Sequence, residues 1–278
     1  MKVTIIGTGL IGGSMAIALK EMNLAQHITG VDCNKVYAEK AIALGLVDVI
    51  RPLEEALDAD LIILAVPVDV AENMLPLIMN LISNQVVMDV GSLKKSLLDV
   101  VAHEANRGRF VATHPMWGTE YSGPDAAVSG AFIGKAVVIC EKEQSDDDAL
   151  LLVENIYRAF GMKIQYMNAI EHDLHVAYVS HISHITSFAL ANTVLEKEKE
   201  EDKIFSLASG GFESTVRLAK SNPDMWVPIF MQNRENVLDV LNEHISQLKK
   251  FKSCLEKENN VYLEALIKNA NSISKIIK

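Results

Sequence analysis

The sequence predicts an α/β protein: a doubly wound parallel sheet over residues 1–166, followed by an all-α domain over residues 167–278. Three observations lead there. Short, almost wholly apolar runs alternate with helical patterns through the first part, which is how parallel strands covered on both faces by crossover helices look in a sequence. A glycine-rich turn, Gly7-Thr8-Gly9-Leu10-Ile11-Gly12, joins the first apolar run to the first helical pattern. Beyond residue 167 long helical patterns follow one another with no further strand pattern, and such a change of texture marks a domain boundary.

The elements follow in order. Strands over 3–6, 28–31, 61–65 and 86–89 are each succeeded by a helix, over 12–22, 35–44, 70–81 and 93–103. Two more strands, 111–113 and 136–140, are joined by a long loop from His114 to Gly134. The acidic run 141–148 reads as a solvated turn leading into a helix over 149–160. In the second part the helical patterns cover 171–198, 213–220, 228–255 and 260–277, with breaks at Gly210-Gly211 and Asn222-Pro223. Pro228 suits a first helical turn, where its missing N–H leaves no bond unmade. Val237, Leu241, Ile245 and Leu248 form an apolar stripe. So thin a helical domain is expected to bury that stripe partly against a second copy, giving a homodimer. The charge run 196–203 is expected to be an exposed helix end and loop.

Composition excludes several functions. Against 26 Lys+Arg stand 36 Asp+Glu, a formal net charge of −10, which repels nucleic acid and anionic lipid. The most apolar run, 61–68, is too short to span a bilayer and contains Pro67, so no membrane association is expected. Lys2 and the uncharged stretch behind it resemble an export signal, but Gly7, Gly9, Gly12 and Gly13 would weaken the helix that export needs. Cys33, Cys140 and Cys254 are an odd number, lie far apart and form no CxxC, which indicates neither disulfides nor a thiolate metal site. A cytoplasmic protein is expected.

The glycine turn carries the strongest chemical signal. In a strand–turn–helix context Gly7 makes the tight turn, Gly9 admits backbone close to a pyrophosphate, and Gly12 lets the helix pack near the strand. The helix N-terminus offers free N–H groups to phosphates. Asp32, ending the second strand, is placed to accept from a ribose diol and to repel a 2′-phosphate, so NAD is the expected cofactor and NADP a weaker alternative. Lys35 is read as an exposed helix lysine. Leu10, Ile11, Val66 and Pro67 complete the expected cofactor-binding set.

A second group lies at strand ends facing the same crevice. Ser92 follows the strand 86–89 and His114 follows 111–113, so the two can meet over a nicotinamide ring. Ser92 also reads as a helix N-cap and His114 as an ordinary loop histidine. His181 and His184 share a helix face, while His172 and His175 fall roughly opposite at about 100° per residue. No third ligand accompanies either pair, so no metal is expected. Arg217 admits two readings: a surface ion pair with Glu213, or a bidentate clamp for a carboxylate. Trp117 and Trp226 read as packing residues.

These pieces, in this order, resemble the prephenate/arogenate dehydrogenase family of tyrosine biosynthesis. The matching segments are GTGLIGGS at 7–14, DVGSLK at 89–94, HPMWGTEYSG at 114–123, EHD at 171–173, SHISH at 180–184 and SGGFESTVRLAKSNPDMW at 209–226. The resemblance implies a Rossmann-type domain followed by a helical dimerisation domain. It further implies transfer of a hydride from prephenate to NAD with loss of the ring carboxylate as CO2. On that resemblance His114 is the catalytic base, with Ser92 helping to orient it. Arg217 holds a substrate carboxylate, with His184, Ser180, Thr119 and Gly210 lining the site. Glu120 pairs with Arg217 as a gate, and Trp226 is contributed by the partner subunit.

Two departures stand out. Ser214 occupies a position where this family commonly carries an acidic residue, which disfavours the ammonium group of arogenate. Trp117 stands in place of a small residue and is expected to narrow or shield the pocket. With no chorismate mutase segment before the glycine turn and no ACT domain after Lys278, feedback by tyrosine is expected to act through the site itself. The rival readings are a β-hydroxyacid dehydrogenase, whose helical catalytic lysine is missing at 178–181, and a nicotinamide-binding sensor without catalysis.

Overall fold

The computed structural model describes residues 1–199 and 203–276. Residues 200–202 of the charge run and residue 277 of the last helical pattern lie outside the described residues. By contact density the chain divides into two compact units, Met1–Asn233 and the segment from Arg234 onward.

The first unit is built on one eight-stranded sheet: β1 (Lys2–Ile6), β2 (His27–Val31), β3 (Val49–Ile50), β4 (Leu61–Leu64), β5 (Val86–Asp89), β6 (Phe110–Pro115), β7 (Ala136–Cys140) and β8 (Lys163–Met167). Its spatial order is β3-β2-β1-β4-β5-β6-β7-β8. The first six strands are parallel. β7 runs antiparallel to β6, with His114 opposite Val138, and β8 is parallel to β7. The helices α1 (Leu10–Glu21), α2 (Lys35–Ala43), α3 (Val68–Leu81), α4 (Lys95–Asp99) and α5 (Asp147–Ala159) cross between strands.

Every residue of β4 and β5 is buried, as continuous apolar runs require of central parallel strands. Side chains alternate between two cores. Ile5, Leu61, Ile63 and Met88 face the one containing Met15 and Leu19 of α1; Ile6, Ile62, Leu64 and Val87 face the one containing Leu75 and Ile78 of α3. The order reverses at β1, whose neighbours β2 and β4 diverge there, so the crevice past its carboxyl end is the place where such sheets bind ligands.

Beyond β8 the first unit continues through α6 (Ala169–Val176), a π-helical turn (Ala177–His181), α7 (Ile182–Glu198), α8 (Gly210–Val216), a 3₁₀ turn (Arg217–Lys220) and α9 (Pro223–Gln232). A small cluster of Val68, Leu93, Val176, Trp226 and Ile229 packs these helices on the carboxyl edge of the sheet. The second unit consists of α10 (Arg234–Glu256), α11 (Asn260–Asn271) and a closing 3₁₀ turn. Within it Val237 and Val240 are buried, while Ile245 and Leu248 of the expected stripe stand exposed.

The structure corrects the expected elements in four places. β3 is a two-residue edge strand, too short to leave a pattern. The helix expected over 93–103 is only α4; after it the bonds tighten to three-residue steps, Val101 N–H to the Leu98 carbonyl and Ala102 N–H to that of Asp99. The helix expected to start at Pro228 starts five residues earlier, because Asn222 caps it by accepting from the Asp224 N–H and Pro223 takes its first turn. It then breaks at Asn233 before α10 begins.

Candidate active site

The glycine turn has the geometry that its residues imply. Gly7 has φ +94°, and a Cβ there would lie 2.4 Å from the Ala65 carbonyl oxygen; a Cβ on Gly12 would lie 2.0 Å from the Gly7 oxygen. Gly9 faces open space. It precedes α1 with no side-chain cap and no acidic residue in the first turn, so the leading N–H groups, including those of Leu10 and Ile11, are left for a ligand. That cradle fits a dinucleotide pyrophosphate. Val66 and Pro67 follow β4 beside Gly7, and Pro67 starts α3.

Asp32 does more than the sequence suggested. Its Oδ2 accepts from the Thr8 N–H (2.9 Å) and the Thr8 hydroxyl (2.8 Å), and its Oδ1 accepts from the Asn34 N–H (2.9 Å). One carboxylate therefore ties the end of β2 to the glycine turn while keeping acceptor capacity for a ribose.

His114 stands next to last in β6, at the same edge of the sheet. Its Nδ1 lies 2.8 Å from His172 Nε2, and His172 Nδ1 lies 2.7 Å from Asp173 Oδ1. Asp173 also accepts the backbone N–H groups of Lys94 (2.9 Å) and Lys95 (3.0 Å), so it caps α4 from across the fold. Ser92 is thus not the cap of that helix. It lies in the β5–α4 loop, and the side chain within hydrogen-bond distance of His114 Nδ1 is that of His172. Burial, with His172, Lys94 and His181 adding to it, pushes His114 well below the ordinary histidine value, which keeps the ring neutral.

The loop holding Ser92 is pinned by a fully buried ion pair between Lys94 Nζ and Asp89. Lys94 Nζ also donates to the Thr113 carbonyl (2.8 Å), while Asp89 accepts from the N–H groups of Gly91 (2.9 Å) and Thr113 (3.1 Å). These bonds weld the ends of β5 and β6 together directly beneath the two candidate residues.

Arg217 pairs with Glu120, Nη1 to Oε2 at 2.6 Å, across the fold. The i,i+4 surface pair with Glu213 does not form. The Glu120 carboxyl is held below its usual range by its own backbone N–H and by Arg217. The Ser214 hydroxyl turns back to the Gly211 carbonyl (3.0 Å). Gly210 begins α8 in open space, and the Thr119 hydroxyl oxygen accepts from the Tyr121 N–H (3.3 Å).

His184 stacks on Trp226 with ring centroids 3.5 Å apart, and its Nδ1 meets the backbone carbonyl of Ser180 at 3.0 Å. Burial lowers His184 and brings His181 down to about 4. Trp226 is buried beside His181 and His184 of its own chain, and its Nε1 has no hydrogen-bond partner among the described residues. Trp117 packs edge-on against Phe132 in the core beneath the sheet.

Three residues of this site escaped the sequence reading: His172, Asp173 and Lys94. On a regular helix His172 lies opposite His181. The π turn at Ala177–His181 accommodates an extra residue and rotates the following face by about 100°. Asn233 spans the result, its side-chain amide donating to the Asp173 carbonyl (2.7 Å) and lying 3.3 Å from His181 Nδ1. The signal available for the three was their place in the family-matching segments DVGSLK (89–94) and EHD (171–173).

Comparison with known proteins bears on this geometry. The family model described as prephenate dehydrogenase, nucleotide-binding domain, matches residues 15–166, and that described as prephenate dehydrogenase, dimerization domain, matches residues 168–269. A prephenate dehydrogenase of Bacillus subtilis (strain 168) is 30% identical over 280 residues, covering 97% of this chain and 75% of the relative. A cyclohexadienyl dehydrogenase of Zymomonas mobilis is 30% identical over 268 residues, covering 94% and 90%. The crystal structure of prephenate dehydrogenase from A. aeolicus in complex with hydroxyphenyl propionate and NAD+ superposes with a TM-score of 0.89 at 29% identity, covering 100% of this chain and 98% of that one.

Proposed function

Because the chain belongs to the prephenate dehydrogenase family, matching both its nucleotide-binding and its dimerization domain, we propose that it oxidises prephenate with NAD to 4-hydroxyphenylpyruvate and CO2, a step of tyrosine biosynthesis. It is an NAD-dependent dehydrogenase. Bound NAD supplies the hydride acceptor. The protein's own part is to hold the 4-hydroxyl, the carboxylates and the dinucleotide in register and to manage one proton.

The observation that carries this reading is His114: a neutral imidazole at the carboxyl edge of the sheet, with Nδ1 occupied by His172 and Nε2 without a partner among the described residues. Nε2 takes the 4-hydroxyl proton as the hydride leaves the same carbon. The bond to the ring carboxylate then breaks, its electron pair enters the ring, and the proton returns to the phenolate oxygen. No proton is taken up or released overall. Such general-base assistance is worth roughly 10²–10⁴-fold.

Arg217 holds a substrate carboxylate, exchanging its present partner Glu120 for it, and His184, Ser180, Thr119, Gly210 and Trp226 line the same site. Support comes from the Arg217–Glu120 pair and the unpartnered Trp226 Nε1. The 50% exposure of the Arg217 side chain leaves room for that exchange. Prephenate is preferred over arogenate, since the Ser214 hydroxyl is engaged with a carbonyl and presents no negative charge to an ammonium group.

Residues 1–166 are the dinucleotide domain and 167–278 the substrate and dimerisation domain of a cytoplasmic homodimer. The exposed Leu248 and Leu255 of α10 support the pairing, and the three free cysteines suit a reducing compartment. Among the described residues no helix is long and apolar enough to cross a membrane.

The test is reduced-nicotinamide absorbance with prephenate or arogenate crossed against NAD or NADP. Turnover is expected with prephenate and NAD, and His114→Asn should abolish it while fold and NAD binding remain. Silence in every combination alongside NAD binding would point to a non-catalytic sensor. Turnover of another hydroxy acid alone would point to a β-hydroxyacid dehydrogenase.

A further inference from the structure

The reaction proposed above uses His114 and assigns no part in the chemistry to two buried polar residues behind it. His172 is 1% exposed and Asp173 is 6% exposed, and neither touches solvent enough to serve as a surface charge. Resting on that reading of the site, we propose that His172 and Asp173 are positioning residues that fix the tautomer of His114, leaving its Nε2 as the unprotonated nitrogen that faces substrate.

The argument runs along the chain of hydrogen bonds. Asp173 accepts the backbone N–H groups of Lys94 and Lys95, one on each carboxylate oxygen. Backbone N–H groups only donate, so both carboxylate oxygens are committed as acceptors. The third contact, His172 Nδ1 at 2.7 Å, must then donate as well. On this proposal His172 is a neutral imidazole with a single N–H, so its Nε2 is an acceptor. The group 2.8 Å from it, His114 Nδ1, therefore carries the other proton. That leaves the lone pair of His114 on Nε2.

With the opposite tautomer the ring would present an N–H to the substrate hydroxyl and could not take its proton. Fixing the tautomer thus selects the reactive form of the base before substrate arrives. The role is orientation and not proton export, because His172 is sealed from water and the overall reaction neither gains nor loses a proton. The same network explains why Asn233 interrupts two helices: its amide holds the Asp173 carbonyl and meets His181, securing the helix that carries the pair.

The test uses the full-length enzyme with prephenate and NAD, and 15N spectra of its imidazoles without substrate. Wild type is expected to show His114 protonated at Nδ1. Asp173→Asn can donate an amide N–H to His172 Nδ1, which reverses every donor along the chain. Its kcat should fall by about 100-fold or more with KM and NAD affinity little changed, and the His114 signal should move to the Nε2–H form. His172→Gln, whose amide both donates and accepts, should keep much of the kcat that His172→Leu loses. His175→Gln, exposed on the same helix, should behave as wild type.

Wild-type kcat in Asp173→Asn, equal kcat in His172→Gln and His172→Leu, or an Nε2–H signal for wild-type His114 would each overturn the proposal. If Asp173→Asn does not fold, the Gln and Leu pair still decides. If wild type turns over no prephenate at all, the functional reading fails, and the spectra still report the tautomer.

Discussion

Asp32 and Thr8 are joined twice through one oxygen: the carboxylate accepts both the backbone N–H and the hydroxyl of the residue inside the glycine turn. The residue proposed to select the ribose is therefore also the strut of the glycine turn. Asp32→Ala should raise the KM for NAD by about 10- to 100-fold, the worth of a hydrogen bond to a charged group. It should not make NADP the better cofactor. Thr8→Val, which keeps the backbone bond, should have a milder effect. Steady-state kinetics with both dinucleotides decide this; an Asp32→Ala enzyme as good with NADP as wild type is with NAD would show that the carboxylate does nothing but exclude the 2′-phosphate.

The three loop glycines separate folding from binding. A methyl on Gly9 meets nothing within 4 Å, and its φ of −75° is ordinary for any residue, so Gly9→Ala should melt like wild type and lose NAD affinity. A methyl on Gly12 would collide with backbone, so Gly12→Ala should lower the melting temperature as well. Thermal melts beside dinucleotide titrations read both effects. Equal melting temperatures for the two variants would contradict the geometry.

The buried Lys94–Asp89 pair predicts an asymmetric response to mutation. Lys94→Met strands a carboxylate in the core and should destabilise by about 3–5 kcal/mol in urea unfolding. The double variant Lys94→Met/Asp89→Leu should recover part of that, since no lone charge remains. A double variant less stable than the single one would mean that the hydrogen bonds to Gly91 and Thr113 outweigh the charge.

Three histidines lowered by burial make stability depend on pH with a definite sign. His114, His181 and His184 are all lowered from 6.5 by burial, so below that pH the unfolded chain binds protons that the folded one refuses. Stability should be level above about pH 7 and fall as pH drops below 6.5, the His181 share continuing down to about 4. Melting temperature against pH measures this. A curve that stays flat to pH 5 would show these rings to be charged in the native state.

Much of this was legible because strands and glycines signal locally. Val86–Asp89 and Ala136–Cys140 are strands with the bounds their apolar runs imply, and Gly7 and Gly12 announce the turn by being the residues that backbone contact demands. His114, Glu120 and Arg217 stood out through their neighbours in sequence. The rest depended on distant partners. Asp173 caps a helix 78 residues away from it, Lys94 is buried only because Asp89 and Thr113 surround it, and the break at Asn233 serves a bond to the Asp173 carbonyl. No local pattern carries such information; of the readings open for Arg217, the local pair with Glu213 gives way to Glu120, 97 residues off, the partner that the family resemblance implied.

The π turn at Ala177–His181 ties the site to helix form and not to chain length. Its extra residue is what turns His181 toward the His172 side. Removing Tyr178 or Val179 would let the helix close into ordinary α geometry with one residue fewer, which leaves about 800° between His172 and His181 and keeps both on one side. A one-codon deletion there would thus leave the candidate site assembled, whereas closing the full-length turn into α geometry would swing His181 and His184 away by about 100°.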